Sequence, residues 1–142
     1  MGAGVVLAAG VAGGSVGAIE GTRRSSHGGS HAPQNLVDAV QREQILIATI
    51  DASVSADPAK RVRLAPLRAD HVAHLDAVQA LLTRAAPGAT HSRPPAPAAD
   101  LLTAVRAAQA SGAAAAAATT GALAALLASI SACEAGHAVL LG

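Results

Sequence analysis

The sequence predicts an all-α protein, a four-helix bundle preceded by an apolar N-terminal segment. From residue 35 onward, apolar residues recur at steps of three and four, which is the spacing of one face of a helix. Of the 142 residues 39 are Ala, the strongest helix former, whereas Phe, Tyr and Trp are absent. No strand-like alternation and no repeat of fixed period interrupts this pattern. A chain of this length is expected to form one domain.

The composition argues against several classes of protein. A net charge of +1, with 13% charged residues and no aromatic residues, does not suit a nucleic-acid binder. A single cysteine excludes an intrachain disulfide framework, and we expect Cys133 to act as a small packed apolar residue. No nucleophile elbow, phosphate loop or zinc-protease motif is present, so the pattern does not point to an enzyme.

The N-terminal segment 1–19 carries no charge and is predicted to be a signal peptide or a membrane anchor. Residues 20–33 are rich in Gly and Ser and are predicted to be a flexible linker before a bundle over 34–142. We therefore expect an exported or membrane-anchored protein of the cell envelope. The nine Arg against one Lys, with abundant Ala, Gly and Pro, suggest a GC-rich bacterium. The sequence leaves the protein partner and a homo-oligomer open.

The first two predicted helices are bounded by Pro, Asn and Asp. Asn35 is the predicted N-cap of the first helix, and the pair 57–58 (Asp-Pro) ends it. Pro66 predicts that regular helix resumes only near that residue, and the pair 87–88 (Pro-Gly) ends the second helix.

A Pro-rich connection over 89–98 separates the second helix from the third. In polyproline geometry it would reach roughly 30 Å, enough for a crossover along the whole bundle. The third helix is predicted to begin near Asp100, and its turn into the fourth lies within 113–121, a run of Ala followed by Thr-Thr-Gly. Ala side chains allow these helices to approach closely.

Polar residues interrupt the apolar stripe of every predicted helix. Burying a polar group without a partner costs on the order of 1–3 kcal/mol, and more for a charge. If these residues meet in one layer of the core, each can find a partner. The candidate site residues are Glu43, His71, His74, Gln109, Glu134 and His137.

The order of these residues resembles the ferritin-like superfamily. That family places Glu on the first helix, Glu-x-x-His on the second, Glu on the third and Glu-x-x-His on the fourth, around two metal ions. Here the helices carry Glu43, the run 71–74 (His-Val-Ala-His), Gln109 and the run 134–137 (Glu-Ala-Gly-His). The chain is also similar to small, alanine-rich, exported ferritin-like proteins without assigned activity. The resemblance implies a ferritin-like bundle with a long crossover and a degenerate metal site.

Two departures from the family pattern remove carboxylates, because His71 and Gln109 stand where the family has Glu. Only Glu43 and Glu134 remain on the stripes, so two divalent ions would be poorly neutralised in the core. Asp70 lies one residue off the stripe and is treated as peripheral. One divalent ion (iron, zinc, copper or manganese) is compatible with the remaining ligands. The alternative is a metal-free hydrogen-bond network in a structural or interaction protein of the cell envelope.

Overall fold

The computed structural model describes residues 31–87 and 95–142, and within them all regular secondary structure is helical, without strands. A 3₁₀ turn, Pro58–Lys60, joins the first two helices. The all-α prediction is confirmed. The predicted signal peptide or anchor at 1–19 and most of the linker lie outside the described residues. The four helices are α1 (His31–Ala56), α2 (Arg61–Ala85), α3 (Leu101–Ala117) and α4 (Gly121–Leu141).

Helix α1 ends where the sequence predicted, but it begins four residues before the expected cap at Asn35. The Asp57 side chain accepts a hydrogen bond from the backbone N–H of Ala59 at 3.1 Å and stabilises the turn. Helix α2 begins at Arg61, so the prediction that regular helix starts only near Pro66 is wrong. A proline in the second turn removes a single backbone hydrogen bond, and Pro66 lies on the exposed side, where water can replace it.

Helix α3 begins at the predicted place, because the Asp100 carboxylate accepts a hydrogen bond from the backbone N–H of Thr103 at 2.7 Å. The alanine run is helical through Ala117, and residues 118–120 form the turn. Gly121 opens α4 with a φ of 65°, a conformation that glycine adopts without strain.

The four helices form two hairpins, α1 with α2 and α3 with α4, and the hairpins pack through α1 on α3 and α2 on α4. At one end of the bundle, Leu36 of α1 and Leu82 of α2 pack with Leu127 of α4. At the other end, the apolar cluster around Ile50 includes Leu101. Helix α2 therefore ends at one end of the bundle and α3 begins at the other, as the predicted crossover requires; residues 88–94 of this connection lie outside the described residues.

The crossover is attached to α1 near its second half, where the Thr49 hydroxyl accepts a hydrogen bond from the backbone N–H of Ala98 at 2.8 Å. The same hydroxyl donates to the carbonyl of Ile45 at 2.7 Å. Thr49 is buried, so both of its hydrogen bonds lie in the protein interior. This contact fixes the last residues of the connection before α3 begins.

In three helices the buried face differs by one residue from the face that the spacing of apolar residues predicts. The predicted stripes run through Ile47, Leu81 and Gln109, whereas the structure buries the neighbouring Leu46, Leu82 and Ala108. Steps of three and four fit two adjacent helix faces almost equally well, because a helix has 3.6 residues per turn. Packing against the partner helices decides between the two faces, and the sequence pattern alone does not contain that choice.

Among the helices that the structure describes, α4 is long and apolar enough to cross a membrane, judged by length and composition only. The same properties suit a helix packed within a bundle. In this fold α4 contributes Leu127 and Ile130 to the apolar cluster shared with α1 and α2.

Leu127 tests the packing of the bundle, because it is 1% exposed within that cluster. We expect Leu127→Ala to lower the free energy of unfolding by about 3 kcal/mol, since truncation leaves a cavity that the helices close only in part. Leu140→Ala, at a position 65% exposed on the same helix, should change it by less than about 0.5 kcal/mol. Urea titration measures both, and equal losses would contradict the packing described.

Candidate metal centre

A polar layer crosses the middle of the bundle, between the apolar clusters at its two ends. Glu43 follows Val40 and precedes Leu46, both of which are buried in apolar clusters. On α2, His71 lies between residues of the apolar clusters at the two ends of the bundle. On α4, Glu134 and His137 also lie between these two clusters. The four side chains are at most 4% exposed, as the apolar stripes predict. Three helices therefore place titratable groups in a core that is otherwise aliphatic.

Two of these groups, together with His74, form what we call the inner triad: Glu43 of α1 with His71 and His74 of α2. The Oε2 atom of Glu43 lies 2.9 Å from His71 Nδ1 and 3.7 Å from His74 Nδ1. One potential ligand atom from each residue lies within 4.8 Å of the other two. Neighbouring ligand atoms around a tetrahedral ion with bonds of about 2.1 Å are roughly 3.4 Å apart. The two distances lie on either side of that value, so small movements would place three ligands around one ion.

The two histidines hold the Glu43 carboxylate in its ionised form. Burial raises the pKa of Glu43, but its hydrogen bond with His71, its 3.7 Å contact with His74 and the charges of both rings outweigh burial and leave the pKa below its usual value. The interaction is reciprocal for His74, whose pKa is raised chiefly by its contact with Glu43, against the opposing effect of burial. The inner triad therefore presents a carboxylate anion to a positive group.

A second group, which we call the outer triad, lies beside the first and contains Asp70 of α2 with Cys133 and His137 of α4. His137 Nε2 is 3.0 Å from Asp70 Oδ2 and 3.6 Å from Cys133 Sγ. All three residues again offer ligand atoms within 4.8 Å of one another. The Asp70 side chain is 52% exposed and Cys133 is half-buried, so this triad opens to solvent.

The sequence does not predict the outer triad. Asp70 lies off the apolar stripe and Cys133 is expected to be a packed apolar residue, whereas both contact His137. Two signals were present in the sequence. Cys133 precedes His137 by four residues and therefore shares its helix face. Asp70 is adjacent to His71 and therefore lies at the edge of the same helix face. From this edge its carboxylate reaches the interface between α2 and α4.

In the rings of His71 and His137, one nitrogen contacts a carboxylate and the second nitrogen does not. His71 faces Glu43 through Nδ1, and His137 faces Asp70 through Nε2. The second ring nitrogen of each is buried and has no hydrogen-bond partner within the described residues. The two rings lie 5.0 Å apart, centroid to centroid. Each ring therefore has one nitrogen in contact with a carboxylate and one buried nitrogen that no described residue satisfies.

Glu134 is the second unusual carboxylate of the layer. Both of its oxygens are buried without a hydrogen-bond partner among the described residues. Burial, assisted by the negative charge of Glu43, raises the pKa of Glu134 to about 7, and the opposing effects of Arg42 and His74 are smaller. Its Oε2 lies beside Gly112 of α3, where an added Cβ would be 3.7 Å away. Glu134 belongs to neither triad, so its part in the polar layer is the charge that it carries when ionised.

The structure does not bring Gln109 to the cluster. It lies one position beyond Ala108, the buried residue at that level of α3. Gln109 is only half-buried and borders a surface groove that Arg106 and Ala135 also line. Its backbone carbonyl accepts a hydrogen bond from the Ser131 hydroxyl at 2.9 Å, which joins α3 to α4. Its contribution is a link between helices through the backbone.

The raised pKa of Glu134 predicts how the stability of the metal-free protein depends on pH. The unfolded chain loses this proton near pH 4.5 and the folded chain near pH 7, so the folded state binds more protons between these values. Stability from this group is therefore lost as pH rises through that range. Glu134→Gln keeps the shape of the neutral carboxyl group, so its free energy of unfolding relative to wild type should rise from about zero at pH 4 to ~3 kcal/mol at pH 8. A difference that is flat with pH, in urea titrations with chelator, would contradict this.

No family model, curated protein or solved structure matches this chain. The relationship to ferritin-like proteins therefore stays a prediction from the order of the core residues. The chemistry of the polar layer is the remaining basis for inferring a function.

Proposed function

We propose that the chain is a ferritin-like helical bundle that binds one divalent transition-metal ion at the inner triad. The observation that carries this proposal is the convergence of Glu43, His71 and His74 in the core, with one ligand atom of each within 4.8 Å of the others. Two imidazoles and a carboxylate form the donor set of many zinc and non-haem iron sites. Copper and manganese also accept such donors.

The charges near the inner triad support a divalent ion. Glu43 is ionised, and the Glu134 carboxyl loses its proton readily once a cation lies nearby, because its pKa is already close to neutral. These two negative charges balance one divalent ion without help from solvent. Among the described residues, neither buried oxygen of Glu134 has a hydrogen-bond partner. Binding an ion therefore relieves an electrostatic cost in the metal-free protein.

The mechanical consequence is a link between helices. Glu43 belongs to α1, and His71 and His74 to α2, so a shared ion joins the two helices at mid-length. An ion that binds only the folded state stabilises that state. The gain in the free energy of unfolding grows with the logarithm of the ratio between the ion's concentration and its dissociation constant. The proposed role is the binding of a metal ion within the bundle, without a reaction on a substrate.

The proposed cellular location is the cell envelope, with export or anchoring through segment 1–19. The absence of charge over nineteen residues supports it, and the following residues include the cations Arg23 and Arg24. The metal-free alternative, a structural or interaction protein of the envelope, shares this location and differs only at the core site.

A comparison of matched variants tests the metal site. Purified protein is exposed to Zn²⁺, freed of unbound metal by gel filtration and analysed by inductively coupled plasma mass spectrometry. Glu43→Gln should retain about one equivalent of Zn²⁺ less than wild type, because the amide supplies no negative charge to the ion. The amide oxygen can still accept a hydrogen bond from His71, so the substitution removes the charge and keeps the hydrogen bond. Ser131→Ala, which removes a different buried polar group, should retain the wild-type amount.

Two further readings of the same samples complete this test. Zn²⁺ should raise the melting temperature of wild type by several degrees and that of Glu43→Gln by much less, since bound metal stabilises the folded state. Circular dichroism confirms that both variants are helical. Identical metal contents in wild type and Glu43→Gln would overturn the proposal and favour the metal-free alternative.

The mass of the protein recovered from its native host tests the proposed location. We expect either a form shortened near residue 19, from cleavage of a signal peptide, or full-length protein in the membrane fraction. Full-length protein in the soluble cytoplasmic fraction would contradict both export and anchoring. Mass spectrometry of each cell fraction provides the measurement.

A further inference from the structure

We propose that the outer triad, Asp70, Cys133 and His137, is a second metal site that binds a thiophilic divalent ion such as Zn²⁺ or Co²⁺ through the Cys133 thiolate. It is separate from the inner triad, shares no ligand with it and opens to solvent. This inference does not require the inner site to bind metal. If both sites fill, the polar layer becomes a two-ion centre with one enclosed and one exchangeable ion.

The distances of the outer triad fit a tetrahedral ion. With a metal–sulfur bond of about 2.3 Å and a metal–nitrogen bond of about 2.1 Å, the two ligand atoms are roughly 3.6 Å apart. Cys133 Sγ and His137 Nε2 are 3.6 Å apart. The Asp70 oxygen is 3.0 Å from the same nitrogen, so it needs to move by only a few tenths of an ångström. Three protein ligands leave a fourth position for water, since Asp70 is exposed.

The charge balance of the layer supports a second ion. The stripes contribute only Glu43 and Glu134, which would leave two divalent ions poorly neutralised. The structure adds Asp70, and Cys133 becomes a second anionic group once a bound ion displaces its thiol proton, so each ion has two anionic groups of its own. Binding displaces the thiol proton of Cys133 to solvent, and a metal–sulfur bond replaces the sulfur–hydrogen bond without change of oxidation state.

The two triads differ in solvent exposure, so we expect their ions to exchange with the solution at different rates. In the inner triad Glu43 and His71 are enclosed, and His74 is the most exposed member, with 17% of its side chain accessible. The outer triad is open through Asp70, whose side chain is 52% exposed. The outer ion should therefore leave rapidly when a chelator is added, and the inner ion slowly.

Cobalt titration tests the outer site, with the thiol kept reduced. Because Cys133 is the only cysteine in the chain, a thiolate-to-cobalt charge-transfer band in the near ultraviolet can arise from no other residue. We expect this band in wild type and in Glu43→Gln, and its loss in Cys133→Ser. Asp70→Asn should weaken cobalt binding by at least about tenfold, since even loss of a group that orients a ligand has that effect.

Thiol protection gives an independent reading. Zn²⁺ should slow alkylation of Cys133 several-fold in wild type and in Glu43→Gln, but much less in Asp70→Asn. Absence of the charge-transfer band from wild type, or alkylation that Zn²⁺ does not slow, would overturn the proposal. Failure of the inner site gives a different result, in which the band persists while Glu43→Gln and wild type retain equal amounts of metal.

Discussion

The buried contact between Glu43 and His71 is the constraint on which the rest of this structure depends. An ionised carboxylate in an aliphatic core is costly unless a partner compensates it. His71 supplies that partner at 2.9 Å, and the pair joins α1 to α2 at mid-length. Apolar clusters pack on both sides, around Val40 at one end and Ile50 at the other. A shift of α1 along α2 would lengthen the contact between Glu43 and His71, so the contact helps to fix the relative height of the two helices.

The two buried glutamates of the layer show how far environment, rather than residue type, sets ionisation. Glu43 has two imidazole neighbours and stays ionised, whereas Glu134 has no hydrogen-bond partner among the described residues and has a pKa of about 7. A similar division separates the histidines. The pKa of His74 is raised by Glu43, and that of His137 is lowered by burial despite its contact with Asp70. The layer therefore combines one fixed anion with groups whose charge can adjust to a ligand, which suits the binding of cations.

The alanine content of the chain explains how a protein without aromatic residues can enclose such a layer. Small side chains let helices approach closely, and van der Waals contact then replaces the area that large side chains would bury. Near Glu134, α3 presents Gly112 to Ser131 of α4, with space for no more than a methyl group in ordinary contact. The Ser131 hydroxyl reaches across to a backbone carbonyl of α3 at the same level. Close helix packing thus limits water around the buried groups and maintains the electrostatic effects on their pKa values.

By itself the sequence determined the helical class, the stop at Asp57 and the start of α3 at Asp100. It also determined the burial of Glu43, His71, Glu134 and His137, because periodicity and capping are local properties of the chain. Only the tertiary structure decided which of two adjacent helix faces is buried. A helix has 3.6 residues per turn, so apolar residues at steps of three and four fit both faces. That choice excludes Gln109 from the cluster and places Ala108 in the core. It also brings Asp70 and Cys133 to His137, because contacts between side chains on different helices depend on how the helices are rotated and aligned against each other.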